Sequence, residues 1–328
     1  MFMRYRFSLL ILAALVAFSQ ASSFKKYAGE FLSLGAGSRA LGMAGANTAL
    51  VNDVTAGYWN PAGLTQARGL QVQFMHSKQF ISSIQHNYLA ASHALREDSH
   101  IGISLVYLTV NGIKDSRQAK VITDGQLSLD YSKIRTFNTG DYIAYFSYAK
   151  QLNKRLSYGI NLKTIYRDYN VESALGIGFD AGVQYRITDR LHSGLMLRDI
   201  TSTMISWTNG TKEFITPSAR LGLSYAVDIP QWAITVRPAM DVQFLAENRE
   251  FASQMSMGPL SMDTFWGLEI GYRNTLAVRA GLDDLNRFNT GIGLSIPKIT
   301  FDYSFTAYQS ELGDVHRISF HLRLPQVL

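Results

Sequence analysis

The feature that most constrains this chain is an alternation of apolar and polar residues with a period of two. It is clearest over residues 174–186, where every second residue is apolar and the residues between are mostly glycine or polar. Successive side chains of a β-strand point to opposite faces, so this pattern predicts a strand with two different surroundings. The apolar face comprises Leu175, Ile177, Phe179, Ala181, Val183 and Tyr185.

Similar segments recur along the chain from residue 70 onward, and many are about 9 to 12 residues long, enough for a tilted strand to cross a bilayer. Long connections near 109–140, 199–217 and 245–263 alternate with short turns, as in outer-membrane barrels. The sequence therefore predicts an all-β protein, a transmembrane antiparallel β-barrel of about fourteen strands. The predicted strands lie at 70–76, 86–94, 100–108, 141–150, 156–166, 174–186, 191–198, 218–226, 233–244, 264–272, 276–282, 288–295, 299–307 and 315–324.

A ring of tyrosines supports a membrane barrel over a soluble sandwich, which would also alternate. Tyr148, Tyr185, Tyr225 and Tyr272 fall on apolar faces at the ends of alternate strands, just before short turns. Aromatic residues gather at the membrane interface, so we expect these four to form one girdle at the periplasmic rim.

The N-terminus and the composition point to export. Arg4 and Arg6 precede an apolar stretch at 7–18, and Ala21 ends a small-residue cleavage site, so residues 1–21 are predicted to be a signal peptide. Its removal would lower the formal net charge from +6 to about +4, too mild a charge to suggest a nucleic-acid partner. The chain contains no cysteine, which excludes disulfides and thiol chemistry. We expect it in the cell outer membrane, in contact with lipid.

A glycine-rich segment at 34–64 precedes the first strand. Residues 35–40 fit the G-x-G-x-x-G/A dinucleotide pattern, but no βαβ unit follows and Asp53 comes too early for the acidic position. A buried segment without a special role is one interpretation; a hatch inside the barrel is the other. We predict a hatch domain at 22–69 and a barrel domain at 70–328. The predicted hatch residues are Gly35, Gly37, Arg39, Gly42, Gly45, Asp53, Asn60, Pro61 and Gly63.

The polar faces of the strands are expected to line the lumen. Mixed charges on a membrane strand must face water or one another, so they form either an ion-pair lattice or a path for a solute. Glycines on the same faces suggest that another backbone approaches closely, and the hatch is the candidate. We expect Arg39 to pair with a lumenal carboxylate and Asp53 with a lumenal arginine, because a buried unpaired charge is costly. The predicted lumenal charges are Lys163, Asp180, Arg186, Arg220, Glu269, Arg279, Asp302 and Arg317.

Motifs for catalysis are absent from the sequence. None of the seven histidines lies in an H-x-x-x-H or H-E-x-x-H pattern, and there is no G-x-S-x-G elbow. We therefore expect no enzyme, no cofactor and no metal site. Flexible methionines in the loop at 245–263 suit an adaptable binding surface, although loop packing explains them equally. The predicted partner-binding residues are Trp207, Met255, Met257 and Met262.

The N-terminal segment resembles the PorV/PorQ family, which is related to FadL-type outer-membrane transporters. The similarity is carried by 31–45 (FLSLGAGSRALGMAG), Ala49, Asp53 and 58–64 (YWNPAGL). It implies a fourteen-stranded barrel with an N-terminal segment folded into the lumen. PorV-like members serve type IX protein secretion in Bacteroidetes-type bacteria and receive exported cargo, whereas FadL-like members pass fatty acids and other hydrophobic compounds.

Two functions follow from this resemblance. The first, which the motif favours, is a barrel that binds secreted cargo or secretion-machinery proteins at its outer loops. The alternative is a transporter of small hydrophobic molecules. A transporter should have an apolar pocket and a gap or kink in its wall, for which Arg237-Pro238 is the sequence candidate because proline removes a ladder hydrogen bond.

Overall fold

Fourteen antiparallel strands form the wall of the protein in a computed structural model that describes residues 29–79, 83–123, 126–247, 249, 253–308 and 313–324. The predicted signal peptide lies outside these residues. In chain order the wall strands are β1 (Leu70–Gln79), β2 (Ile84–Arg96), β3 (Ser99–Asp115), β4 (Arg135–Gln151), β5 (Leu156–Asp168), β6 (Ser173–Arg186), β7 (Leu191–Arg198), β8 (Ser218–Tyr225), β9 (Ile234–Leu245), β10 (Leu260–Tyr272), β11 (Leu276–Leu282), β12 (Phe288–Ile296), β13 (Ile299–Thr306) and β14 (Val315–Leu324).

The wall is a closed barrel. Each strand pairs with the next along the chain, and β14 pairs with β1 from Leu70 opposite Leu324 to Lys78 opposite His316. Closure leaves no strand edge unpaired, which a β-protein in a bilayer requires. The prediction of an all-β, fourteen-stranded barrel is confirmed. No helix in the described part of the chain is long and apolar enough to span a membrane.

Burial alternates along the strands as the period-two pattern requires. On β6 the even-numbered residues from Ala174 to Gln184 face inward, whereas Leu175 and Phe179 are exposed on the outer surface. Large apolar side chains cover that outer surface on the other strands too, as lipid contact demands. Of the four girdle tyrosines, Tyr185, Tyr225 and Tyr272 are exposed at the ends of their strands, and Tyr148 is half-buried.

Short elements extend the wall at both ends. Outer connections carry the hairpins Lys120–Thr123 with Gln126–Leu129 and Thr203–Trp207 with Lys212–Ile215, and Met255–Met257 pairs with the start of β10. The remaining short elements are the strand Val227–Ile229 and the 3₁₀ helices Tyr131–Lys133 and Pro230–Trp232.

The irregularity of the wall at Pro238 is small. Ser224 pairs with Ala239 and Val227 with Val236, so the register of β8 against β9 is the same on both sides of the proline. Only the local ladder is interrupted, so no register shift accompanies the candidate kink at Arg237-Pro238.

A larger irregularity lies after β7. Met204 pairs with Ile177 of β6, whereas the register of β6 with β7 would place it opposite Ala174. Asp199 and Ser202, both with φ of 55°, form the bulge that takes up this shift.

The segment before β1 fills the lumen. It contains two short helices, α1 (Ser38–Gly42) and α2 (Ala56–Trp59), and the 3₁₀ turns Glu30–Leu32 and Pro61–Gln66. Most of its residues from Ala36 to Leu64 are buried. The predicted lumenal hatch is therefore present as part of the fold, and we keep the name hatch for residues 29–69.

Candidate functional site: the lumen and its hatch

Wall glycines let the hatch lie against the barrel. A Cβ built on Gly159 would stand 2.5 Å from the carbonyl carbon of Pro61, and one on Gly281 would stand 2.6 Å from that of Met43. Real Cβ atoms do not come so close to backbone, so these positions exclude side chains. Gly194, Gly222 and Gly267 approach the hatch backbone in the same way, and Gly182 approaches the Asn60 side chain. Gly291 and Gly102 lie against Gly42 and the Leu64 side chain with a little more room, at 3.2 Å.

One side of the lumen carries two groups of paired charges on β8 to β13, which together we call the charged sector: Arg220 with Asp241, and Glu269 with Arg279 and Asp302. Glu269 accepts from Arg39 of the hatch at 2.9 Å and from Arg279 at 2.7 Å. Arg279 also pairs with Asp302 at 2.7 Å. These side chains lie at matching positions on neighbouring strands, so the barrel register itself builds the lattice.

Asp241 is the second anchor of the hatch. One of its carboxylate oxygens accepts from the backbone N–H groups of Asn47 and Thr48 at 3.1 and 3.0 Å and from the Thr48 hydroxyl at 2.7 Å. Arg220 donates to the same oxygen at 2.9 Å and to the carbonyl of Gly45 at 2.7 Å. Hydrogen bonds to a charged group are about twice as strong as neutral ones, so this side holds the hatch with directional bonds.

The opposite side of the lumen, on β1 to β5, carries buried apolar and aromatic side chains beside polar ones such as Gln73 and Ser104. The apolar side chains pack against apolar hatch residues that include Val54, Tyr58 and Trp59. The Tyr58 ring meets Tyr145 edge to face at a centroid distance of 6.0 Å. We call these wall residues the apolar sector: Met75, Tyr88, Val106, Leu108, Ile143, Tyr145 and Ile165.

Polar groups of the hatch on this side bond to the wall or within the hatch. The N–H of Val54 donates to the Gln71 side chain at 3.1 Å, and the Asn161 amide donates to the carbonyl of Gly57 at 2.8 Å. The Trp59 indole donates to the carbonyl of Ala36 at 2.7 Å, within the hatch. The Asn60 amide donates to the carbonyls of Thr48 and Val183 at 3.0 and 3.1 Å. Its carbonyl accepts from the N–H of Ala62 and so begins the 3₁₀ turn at Pro61.

A buried ion cluster lies beside the bulge after β7. The Lys163 ammonium, only 1% exposed, contacts the carboxylates of Asp180, at 3.2 Å, and Asp199. Asp199 also accepts from the Thr203 hydroxyl, and its own N–H donates to Asp180 at 2.9 Å. Asp199 thus ties the start of the bulge to β5, β6 and Thr203, and the two carboxylates compensate the desolvation of the lysine.

Aromatic rings surround Arg167 at the outer end of the lumen. Its guanidinium lies 4.3 Å from the centroid of Phe31 in the hatch, 5.0 Å from that of Tyr169 and 5.4 Å from that of Trp207. Asp141 neutralises it at 2.6 Å. Trp207 is half-buried here, so the structure places it against the hatch and not at a loop tip.

Three other charged residues predicted for the site, Asp53, Arg186 and Arg317, lie in different environments. The predicted wall arginine for Asp53 is wrong: its ion-pair partner among the described residues is Arg39, at 3.3 Å, because Arg39 lies between Asp53 and Glu269. Arg186 is exposed, since β6 ends there at the rim, and is not part of the packed lumen. Arg317 is buried and donates to Thr306 at 2.7 Å.

Among the hatch glycines, Gly35, Gly37 and Gly45 have positive φ, Gly42 lies against Gly291, and Gly63 against the Val51 carbonyl. The loop methionines are not grouped with Trp207. Met255 and Met257 are 50% and 68% exposed on the outer hairpin, and Met262 is half-buried opposite Met255.

The comparisons with known proteins agree on the architecture. No known family model matches the chain, and no curated protein matches its sequence significantly. Solved structures do match. The toluene transporter TbuX of Ralstonia pickettii has a TM-score of 0.59 and 12% identity over 88% of this chain and 98% of its own. The toluene transporter TodX of P. putida has a TM-score of 0.59 and 12% identity over 89% and 99%. A FadL homologue of Pseudomonas aeruginosa has a TM-score of 0.52 and 12% identity over 87% and 97%.

The fold is that of the FadL-type outer-membrane barrels. The solved structures that share this fold include toluene transporters and a monoaromatic hydrocarbon channel. In its fold, the chain agrees with the FadL-like half of the sequence resemblance. The PorV/PorQ half, with type IX secretion and a Bacteroidetes-type source, finds no support in these comparisons.

The apolar sector and the Arg167 cluster were missed by sequence reasoning. The signal for the apolar sector was present: 105–108 (LVYL) and 143–146 (IAYF) are continuous apolar runs instead of alternating ones. Such runs indicate strands that are apolar on both faces. Asp199 had no such signal, because it lies in a loop whose path only the fold defines.

Proposed function

We propose that this protein passes small hydrophobic molecules across the outer membrane, the alternative that the sequence left open. The apolar sector carries the proposal. An apolar molecule could replace the apolar side-chain contacts between the hatch and this sector without breaking an ion pair, because apolar contact is non-directional. The charged sector would meanwhile hold the hatch through Glu269 and Asp241. The structures similar in fold include toluene transporters and a monoaromatic hydrocarbon channel, which supports the same substrate class.

The outer end of the lumen fits the entry of such molecules. Phe31, Tyr169 and Trp207 present ring surface next to the apolar sector, and Arg167, paired with Asp141, holds the three rings together. Aromatic rings bind apolar and aromatic molecules through large contact areas at little entropic cost.

Uptake measurements test the proposal. Cells that lack their own outer-membrane hydrophobe transporter are given this chain, and uptake of labelled toluene and oleate is followed at low concentration. We expect uptake above that of cells with an empty vector. The double variant Ile143→Thr and Ile165→Thr places hydroxyls in the apolar sector and should lower the rate roughly threefold to tenfold.

The matched control changes Ile160→Thr and Ile177→Thr, two isoleucines that are exposed on the outer wall. It should leave uptake near the wild-type rate. Uptake that stays at the empty-vector level for both compounds would overturn transport. Wild-type uptake in the lumenal variant would overturn the route along the apolar sector.

Binding of a protein partner is the second candidate, because Met255 and Met257 are exposed together on the outer hairpin. Their replacement by serine should leave uptake unchanged under the transport proposal. If it instead abolishes surface display of exported proteins in the native host, as deletion of the gene would, the secretion role that the PorV/PorQ resemblance implies is the correct one.

A further inference from the structure

A cavity of about 630 Å³ opens at the end of the barrel that carries the short turns, which is the periplasmic end in barrels of this class. It lies where the hatch passes into β1, between the turn after β2 and the turn after β12. Arg68, Arg96, Lys298 and Arg323 line it, and the carboxylate among its lining residues is Glu97. The cavity is therefore strongly positive.

These cations have few partners inside the protein. Arg68, Arg96 and Lys298 are exposed and take part in none of the ion pairs formed among the described residues. Arg323 donates to the Thr300 hydroxyl at 2.8 Å, a neutral acceptor. Glu269 and Lys163 in the packed lumen are matched by opposite charges, whereas four cations gather around this cavity beside one carboxylate.

His100 adds an independent observation. It points inward from the periplasmic end of β3, lines the same cavity and is only 4% exposed, and its Nδ1 has no hydrogen-bond partner. Buried polar atoms nearly always have partners, and an exception marks a place where water or an ion completes the structure.

The cavity also touches the lipid-facing surface. Leu324 lines it, is 37% exposed and pairs with Leu70, which is equally exposed on the outer wall. A ligand in the cavity could thus keep an anionic group among the cations while an apolar chain lies along the wall. Arginine binds phosphate through paired N–H donors, and several arginines converge here.

From these observations we propose that the periplasmic cavity binds a phosphate-bearing anion. Two sources share this chemistry: the headgroup of an anionic phospholipid in the inner leaflet, and a soluble phosphate ester in the periplasm. The site is separate from the apolar sector and does not depend on transport.

Lipid binding to the purified full-length protein tests the proposal. The detergent-solubilised protein is titrated with phosphatidylglycerol or phosphatidylcholine and examined by native mass spectrometry. Glycerol 3-phosphate is titrated separately by calorimetry. We expect one saturable site that prefers phosphatidylglycerol. The double variant Arg68→Gln and Arg96→Gln should weaken it on the order of tenfold or more, since two charge-assisted hydrogen bonds are lost.

The control variant changes Arg155→Gln and Arg190→Gln, exposed arginines on other periplasmic turns, and should bind as the wild type does. Heat-modifiable migration on gels checks that each variant is folded, and Lys298→Gln provides a second test on an exposed turn. If glycerol 3-phosphate and phosphatidylglycerol both bind, the phosphate ester is sufficient for recognition and no acyl chain is needed. Binding of phosphatidylglycerol alone identifies the lipid. Equal retention of the two lipids with no glycerol 3-phosphate binding, or equal weakening in the control variant, would overturn the proposal.

Discussion

The charged sector and the apolar sector face each other across one lumen and hold the same hatch by different means. In the charged sector, Glu269 and Asp241 each accept several hydrogen bonds at fixed distances, so the contact has one geometry. In the apolar sector, Ile143 and Ile165 belong to one apolar cluster with hatch residues such as Tyr58, and apolar contacts have no preferred direction. The difference teaches that charged groups can hold a hatch on one side while an apolar ligand replaces the apolar contacts of that hatch on the other side.

The largest effect should come from removing the shared carboxylate of the charged sector. Glu269→Ala leaves Arg39, Arg237 and Arg279 without their common partner, and breaking a buried pair costs about 3–5 kcal/mol. The barrel should unfold at a lower temperature, and a cysteine placed at Ala44 in the buried hatch should become open to a water-soluble reagent. Asp189→Asn on an exposed turn is the control. An unreactive cysteine in the Glu269 variant would mean that the charged sector is not what fastens the hatch.

The next effect should come from the wall glycines that both sectors need. Gly159→Ala brings a Cβ to 2.5 Å from the Pro61 backbone and should cost about 1–3 kcal/mol by overpacking. Gly271→Ala is a matched control, because the nearest atom to its Cβ would be 3.8 Å away. Thermal unfolding of both variants in the same detergent measures the difference. Equal midpoints would contradict the close approach of hatch and wall.

Trimming the apolar sector should have a smaller effect on stability. Ile143→Val removes one buried methylene and should cost about 0.5–1.5 kcal/mol, while a cysteine at Ala44 stays protected because the ion pairs remain. Thermal unfolding and the same labelling reaction measure both quantities. If the cysteine became as reactive as in the Glu269 variant, the two sectors would not differ in how they hold the hatch.

The smallest effect belongs to the outer hairpin, which is part of neither sector. Met257→Ser changes a side chain that is 68% exposed and should alter stability by less than about 0.5 kcal/mol. Unfolding in detergent and toluene uptake should both match the wild type. A marked drop in uptake would bring this hairpin into the entry route beside Trp207.

The sequence by itself determined the strands, their number and the presence of a glycine-rich hatch, because a strand at a lipid–lumen boundary must alternate with a period of two. It also marked Arg39 and the lumenal charges, since a charge on a membrane strand has only the lumen to face. These features are local: a residue and its neighbours along the chain are enough to reveal them.

Only the tertiary structure decided which of those residues meet. Arg39 lies between Asp53 and Glu269, although Glu269 is far away in the chain, and Lys163 meets Asp199 only because the bulge after β7 turns inward. The division of the lumen into two sectors has the same origin. It depends on which strands lie side by side in the closed barrel and on where the hatch crosses them. The spacing of residues along one strand determines neither the order of the strands nor the path of the hatch.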